Sequence, residues 1–357
     1  MNKLVLIGNG FDLAHGLKTK YSDFLLWYLD EARRKICIER VHDDHLMTVT
    51  RIGGRPIYQL KSLKDFQDLL RNGICVYNPK NTFIKNIFLQ AIDYNWVDIE
   101  NQYYTSLVDI YDAHKIGPGT KSINDLKILN ITLEHIKNKL AEYLSTIEDL
   151  PKVNDEIMDH FRSEFTANSD SIKPNDIMIL NFNYTSTIEI YKKLLPNELN
   201  IRVNYIHGIL GDYFNPIIFG YGDEMDPYYE KIEQLNNNDF TKNMKSFDYL
   251  RTRNYQDFLR FIESAPFEVI IMGHSCGLSD RILLNTIFEH EKCQRIKIYY
   301  YQKSTELDED DFTEKTQEIS RHFKPNAKGD MRKKIVPHED CKPLTTPDIQ
   351  IYINENA

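Results

Sequence analysis

Cysteine is scarce in this chain. Its 357 residues hold five, Cys37, Cys75, Cys276, Cys293 and Cys341, with no Cys-x-x-Cys pair. An odd, scattered set excludes the disulfide framework of a small secreted domain. A chain of this length also buries enough surface to fold without one. Long hydrophobic runs are missing too. The run at the amino end, Leu4 to Ile7, stops at Gly8 and is too short for a signal-peptide core or a membrane span. Positive charge is not in excess: 44 Lys and Arg stand against 53 Asp and Glu, a net charge of −9. Such a chain has no overall attraction to phosphate backbones, and the basic spots Arg33–Arg34–Lys35 and Arg332–Lys333–Lys334 read as solvated surface. There is no Walker G-x-x-x-x-G-K-[ST] and no H-E-x-x-H. His290-x-x-Cys293 and His338-x-x-Cys341 lack the tighter knuckles of a structural zinc site. Apolar residues at 41% and charged residues at 27% exclude a wholly disordered or multi-span chain. The expectation is a cytoplasmic globular protein without a membrane anchor, a metal or a nucleic-acid partner.

What is present alternates between two periods. Lys3 to Ile7 is a β-branched and Leu run ending at a glycine, the pattern of a buried parallel strand. Tyr21, Phe24, Leu25, Tyr28 and Leu29 then fall on one helical stripe, with Ser22 or Asp23 able to cap it. The segment from 36 to 80 follows neither period, and 81–165 reads as mostly helical. Strand-like runs return at Asp176 to Leu180, Ile201 to Ile206, Pro216 to Phe219, Phe267 to Met272, Ile296 to Tyr301 and Ile349 to Ile353. Helical stretches at Ser186 to Leu195 and Ser279 to His290 separate some of them, and the acidic run Glu306 to Asp311 is placed to open another helix. Strands alternating with helices predict an α/β fold with a parallel sheet. Residues 1–40 and 170–357 are expected to form this core, with 41–169 a largely helical insertion.

In an open parallel sheet, ligands bind beyond the carboxyl ends of the strands. Four expected strand ends carry unusual residues. Gly8-Asn9-Gly10 before a helix is either a phosphate cradle or simply a tight turn; Leu13 breaks the full G-x-G-x-x-G pattern. Asn183 follows a second strand, where an amide can hold a ribose hydroxyl or a water, or merely favour a turn. His207–Gly208 ends a third, well placed for proton transfer. Gly273-His274-Ser275-Cys276-Gly277 ends a fourth and matches the G-x-S-x-G nucleophile elbow. A triad there would draw its acid from Asp308, Asp310 or Asp311 and its base from His322 or His338, whereas Cys276 is most simply a small buried residue. Trp96-Val97-Asp98-Ile99-Glu100 reads either as an acid pair or as an amphipathic helix with a buried Trp.

Taken together the blocks resemble the AbiH family of bacterial abortive-infection proteins. They are Gly8-Asn9-Gly10-Phe11-Asp12 with Gly16, Tyr21 and Phe24; Trp96 to Glu100; Asn181-Phe182-Asn183-Tyr184-Thr185; Ile206-His207-Gly208; Phe219-Gly220-Tyr221-Gly222-Asp223; and Gly273-His274-Ser275 with Asp280. Their order also resembles the sirtuin-like NAD-binding fold. Gly8, Gly10 and Gly16 match its opening glycines, Asn183 its Asn, His207–Gly208 its His-Gly, and Gly273 with Ser275 its later strand end. Asn181 and Thr185 depart from its Thr-x-Asn-x-Asp segment, and its four-cysteine zinc module is absent, so protein deacetylation is not implied.

The resemblance implies a Rossmann-like nucleotide-binding core and an anti-phage role. It further implies NAD, as substrate or ligand, cleaved by a glycohydrolase with His207 as base and Asn183 holding water or ribose. Its nucleotide-contacting set is Gly8, Asn9, Gly10, Phe11, Asp12, Gly208, Gly273, His274, Ser275 and Asp280. For Asp12, substrate contact and a supporting hydrogen bond stay open. The same resemblance implies a phage-derived trigger and a homo-oligomer. A non-catalytic nucleotide sensor and a serine hydrolase built on Ser275 are the alternatives.

Overall fold

The computed structural model describes residues 1–94, 97–117, 119–147, 151–165, 176–304 and 309–346. Among these, nine strands occur: β1 (Asn2–Ile7), β2 (Val41–Asp43), β3 (Met47–Arg51), β4 (Cys75–Pro79), β5 (Ile177–Asn181), β6 (Ile201–Tyr205), β7 (Phe267–Met272), β8 (Cys293–Tyr300) and β9 (Lys342–Pro343). The chain forms two compact units. One takes residues within 1–17, 150–209 and 252–357, the other those within 18–149 and 210–251.

The first unit is built on a six-stranded sheet in the order β6-β5-β1-β7-β8-β9. Every neighbouring pair is parallel. Its middle strands are mostly apolar: β5 and β7 are buried along their whole length, as a sheet covered on both faces requires. Val5, Ile7, Ile177, Ile179, Ile270 and Met272 point to one face. There they meet Ile157, Phe161 and Phe165 of the helix Asp155–Phe165, together with Ile188 and Tyr191. The helix Asn254–Ser264 lies against β5 and β6, and the helix Arg281–Phe288 against β8. This layered packing leaves the carboxyl ends of β1, β5, β6 and β7 side by side along one edge of the sheet.

The second unit carries the helices Tyr21–Glu39, Leu63–Arg71, Thr82–Tyr94, Ile99–Ile116 and Thr120–Ser145. It also carries a small antiparallel sheet, β2-β3-β4. That sheet occupies the stretch whose periodicity is illegible, because its strands are short and two of them are half exposed. The division expected at residue 40 differs from the observed one. The helix Tyr21–Glu39 packs against β2, β3 and the helix Thr120–Ser145, and residues 210–251 join the same unit.

Two further expectations change. Pro216 to Phe219 is not a strand. Pro216 has no N–H to give a ladder, and the backbone pairs only beyond it, in an isolated bridge between Tyr221 and Met244. The helix expected from Ser186 shrinks to Glu189–Lys192. Ile349 to Ile353 and Trp96 lie outside the described residues. No helix among the described residues is long and apolar enough to cross a membrane.

Candidate active site

The turns after β1 and β7 meet backbone to backbone. Gly10 N donates to Gly273 O at 2.8 Å, Phe11 N to Gly8 O at 2.8 Å and Gly8 N to Met272 O at 3.4 Å. No side chain fits between them: a Cβ on Gly10 would stand 2.8 Å from Gly273 O, and one on Gly273, at φ 75°, only 2.1 Å from Phe11 N. These glycines are required by packing. The expected phosphate cradle is therefore corrected in part, because the amides of Gly8, Gly10 and Phe11 are already spent inside the fold. Phe11 is corrected too. Its ring is fully buried against Phe161 and Tyr191 and faces the core, not a ligand. The tips of the two turns are Asn9 and Ser275, and both are exposed.

Behind the tips stands a pair that sequence spacing does not reveal. His207 Nε2 lies 3.1 Å from Asp280 Oδ1, and His274 Nε2 lies 3.6 Å from Asp280 Oδ2. The Phe182 ring sits at 4.1 Å from that of His274 and 5.1 Å, edge-on, from that of His207. His207 and Asp280 are only 5% and 8% exposed, so their attraction is little screened by water. His274 Nδ1 accepts the N–H of Cys276 at 3.0 Å, which places its ring proton on Nε2, toward Asp280. A proton on His207 Nε2, likewise facing Asp280, leaves the lone pair on Nδ1. Asp280 can then orient His207 and stabilise its imidazolium, as the acid of a triad does. Asp280 belongs to the expected contact set, but its place beside His207 follows from tertiary structure, since 73 residues separate them in sequence.

Asn183 is held by its own loop. Its N–H donates to Asn181 Oδ1 at 3.1 Å and its Nδ2 to Gly8 O at 3.0 Å, which ties β5 to the turn after β1. Its Oδ1 is the group left to meet a water or a hydroxyl. Gly208, at φ 84°, makes the left-handed turn that carries the chain away from His207.

The described residues do not assemble the serine-hydrolase triad. Among the described residues Ser275 makes no hydrogen bond to a histidine. His322 Nε2 is engaged with Cys276 O at 2.7 Å, and burial brings its pKa down to about 4. His338 pairs with Asp310 at 2.9 Å, and Asp308 lies outside the described residues. The left-handed residue of the elbow is Cys276, at φ 59°, not Ser275. Cys276 is fully buried and its thiol is pushed up to about 12, so it is no nucleophile. Among the described residues no group of three His, Cys, Asp or Glu is gathered as metal ligands.

The second unit brings two other sequence blocks together. Glu100 Oε1 accepts the Gly220 N–H at 3.0 Å, and its Oε2 pairs at 3.0 Å with Nζ of Lys245, whose side chain is wholly buried. Tyr104 stacks on Tyr221 at 3.9 Å and donates to Asp226 at 2.8 Å. Asp98 caps the helix Ile99–Ile116 by accepting from Asn101 N. The acid pair thus splits into a cap and a buried ion-pair partner.

The molecule is an α/β protein whose six-stranded parallel sheet gathers a histidine–aspartate pair and three motif-bearing turns at its carboxyl edge. It belongs to the AbiH family, bacteriophage abortive infection proteins, whose family model matches residues 4–302. Its role is accordingly in abortive infection against phage. No curated protein matches the chain. His322 and Lys315, whose Nζ donates to His274 O at 2.9 Å, come from beyond the matched range.

Proposed function

We propose that the carboxyl edge of the sheet binds a nucleotide, NAD or a relative, and that His207 acts as general base in cleaving its N-glycosidic bond. Counted along the chain within the sheet, the strand order is 3-2-1-4-5-6, that of Rossmann-like dinucleotide-binding sheets. The order reverses between β1 and β7, and the rule for such sheets puts the ligand there, where the tips Asn9 and Ser275 stand. The observation that carries the catalytic reading is the buried His207–Asp280 pair at 3.1 Å. Water would add to the ribose anomeric carbon as the base departs with the bond electrons, and His207 Nδ1 would take the water proton. Asp280 would balance the resulting charge. Nicotinamide in NAD is a cationic leaving group, so this proton transfer and a fixed ribose suffice. A phage-derived trigger and assembly into a homo-oligomer belong to the same proposal.

The test is release of nicotinamide from NAD by purified protein, with His207→Ala beside it. Loss of release by roughly 10²–10⁴-fold in the variant is expected for a general base. Release unchanged in the variant refutes the base. Binding of NAD without release by wild type, in the presence of phage lysate, replaces the enzyme with a nucleotide sensor.

A further inference from the structure

Asp12 is almost wholly buried, 1% exposed, and its two oxygens are treated unequally. Oδ2 lies 2.6 Å from Thr185 Oγ1, which in turn lies 3.3 Å from Thr187 Oγ1. Oδ1 is buried without a hydrogen-bond partner. An ionised carboxylate leaves a full acceptor charge share on that orphan oxygen, at a desolvation cost far above that of a neutral carbonyl. A proton on Oδ2 removes the problem, because the acid then donates to Thr185 Oγ1, and only a neutral C=O stays unpaired. We propose that Asp12 is held as a neutral carboxylic acid and is a positioning residue, whose O–H ties the turn after β1 to the 181–187 loop that presents Asn183.

The surroundings agree. Burial moves the pKa of Asp12 up from the ordinary carboxyl value and outweighs the opposing hydrogen bonds from Thr185, Thr187 and Asn183, the uncharged groups that face it from that loop. The titratable group just past its own helix is His15. Its ring is bound to Phe11 O at 2.7 Å and Tyr191 OH at 2.5 Å, and burial keeps its pKa down. A second tie, Asn183 Nδ2 to Gly8 O at 3.0 Å, joins the same loop to the residue before the helix Asn9–Ala14. Asn181 Nδ2 donates to Thr185 O and Asn183 N to Asn181 Oδ1, so Thr185 is the member through which Asp12 steadies the rest.

The protonation state is tested apart from the catalytic reading; only the consequence for turnover rests on it. A group whose folded pKa is raised above its unfolded value loses stabilisation as pH climbs from the unfolded toward the folded pKa. Wild type should therefore lose stability relative to Asp12→Asn as pH rises from about 4 to 7. The infrared carboxylic-acid C=O stretch present at pH 7 should vanish in Asp12→Asn. A difference that is flat with pH, or a spectrum lacking that band in wild type, overturns the proposal. Asp12→Asn keeps a donor for Thr185, so its nicotinamide release should stay within about twofold of wild type. Asp12→Ala should lose about tenfold or more through misplacement of Asn183. Equal loss in both variants overturns the positioning role. If wild type releases no nicotinamide, the pH and infrared arms still decide the protonation state, while phage protection by the two variants decides the positioning.

Discussion

Replacing Gly273 by Ala separates packing from ligand binding at the paired turns. The new Cβ would lie 2.1 Å from Phe11 N and 2.6 Å from Gly10 C, both backbone atoms that no side-chain rotation can clear. The two turns must part, which breaks the Gly10 N to Gly273 O bond, worth about 1 kcal/mol. Overpacking adds roughly 1–3 kcal/mol. The left-handed φ of 75° adds about 1–2 kcal/mol for a residue with a Cβ. The sum is about 3–6 kcal/mol, a large share of a domain's stability. Gly16 is the control. It has φ 75° as well, yet its Cβ would touch nothing within 4 Å, so Gly16→Ala should cost only about 1–2 kcal/mol. Gly10→Ala lies between: helix propensity favours Ala by about 1 kcal/mol, but the Cβ at 2.8 Å from Gly273 O outweighs it. The assay is denaturant unfolding of the protein without nucleotide. If Gly273→Ala and Gly10→Ala unfold like wild type and lose only nucleotide binding, the packing argument is refuted and the cradle reading of these glycines returns.

Asp280→Asn should lower nicotinamide release about as much as His207→Ala, because the imidazolium then lacks its counter-charge; release assays on the two variants and their double mutant should show losses that do not add. His322 is buried neutral, its pKa brought from 6.5 to about 4. A depressed base contributes stability that is whole above its unfolded pKa and is lost as pH falls. Wild type should thus lose on the order of 2–3 kcal/mol relative to His322→Gln between about pH 6.5 and 4, read by denaturant midpoints at each pH. Lys245→Met strands the buried Glu100 carboxylate and should cost about 3–5 kcal/mol, while Glu100→Gln with Lys245→Met should recover most of it; equal losses in single and double variants would dismiss the pair.

Much of the fold was legible in the sequence, for a local reason. A strand buried on both faces needs an unbroken apolar run, and β1, β5 and β7 have one, so they stand out with ends displaced by a residue at most. The helical reading of 81–165 rests on apolar stripes: that of Asp155–Phe165 faces the core of the first unit, and the others lie in the second. β2, β3 and β4 escaped because strands of three to five residues are too short for a period to stand out. The Pro216 segment has the apolar run of a strand, but proline cannot join the ladder.

Local sequence is enough to say which residues stand at the ends of the parallel strands: Gly8 to Gly10, Asn183, His207 and the 273–277 turn. Periodicity and a closing glycine are local properties, and no fold is needed to see them. What those residues do to one another follows from the fold. It set Asp280 beside His207, spent the amides of Gly8, Gly10 and Phe11 on neighbouring carbonyls, turned Phe11 into the core, and gave His322 to Cys276 O instead of Ser275. Each of these depends on a contact between segments far apart in the chain, where distance and direction, not residue type, fix the chemistry.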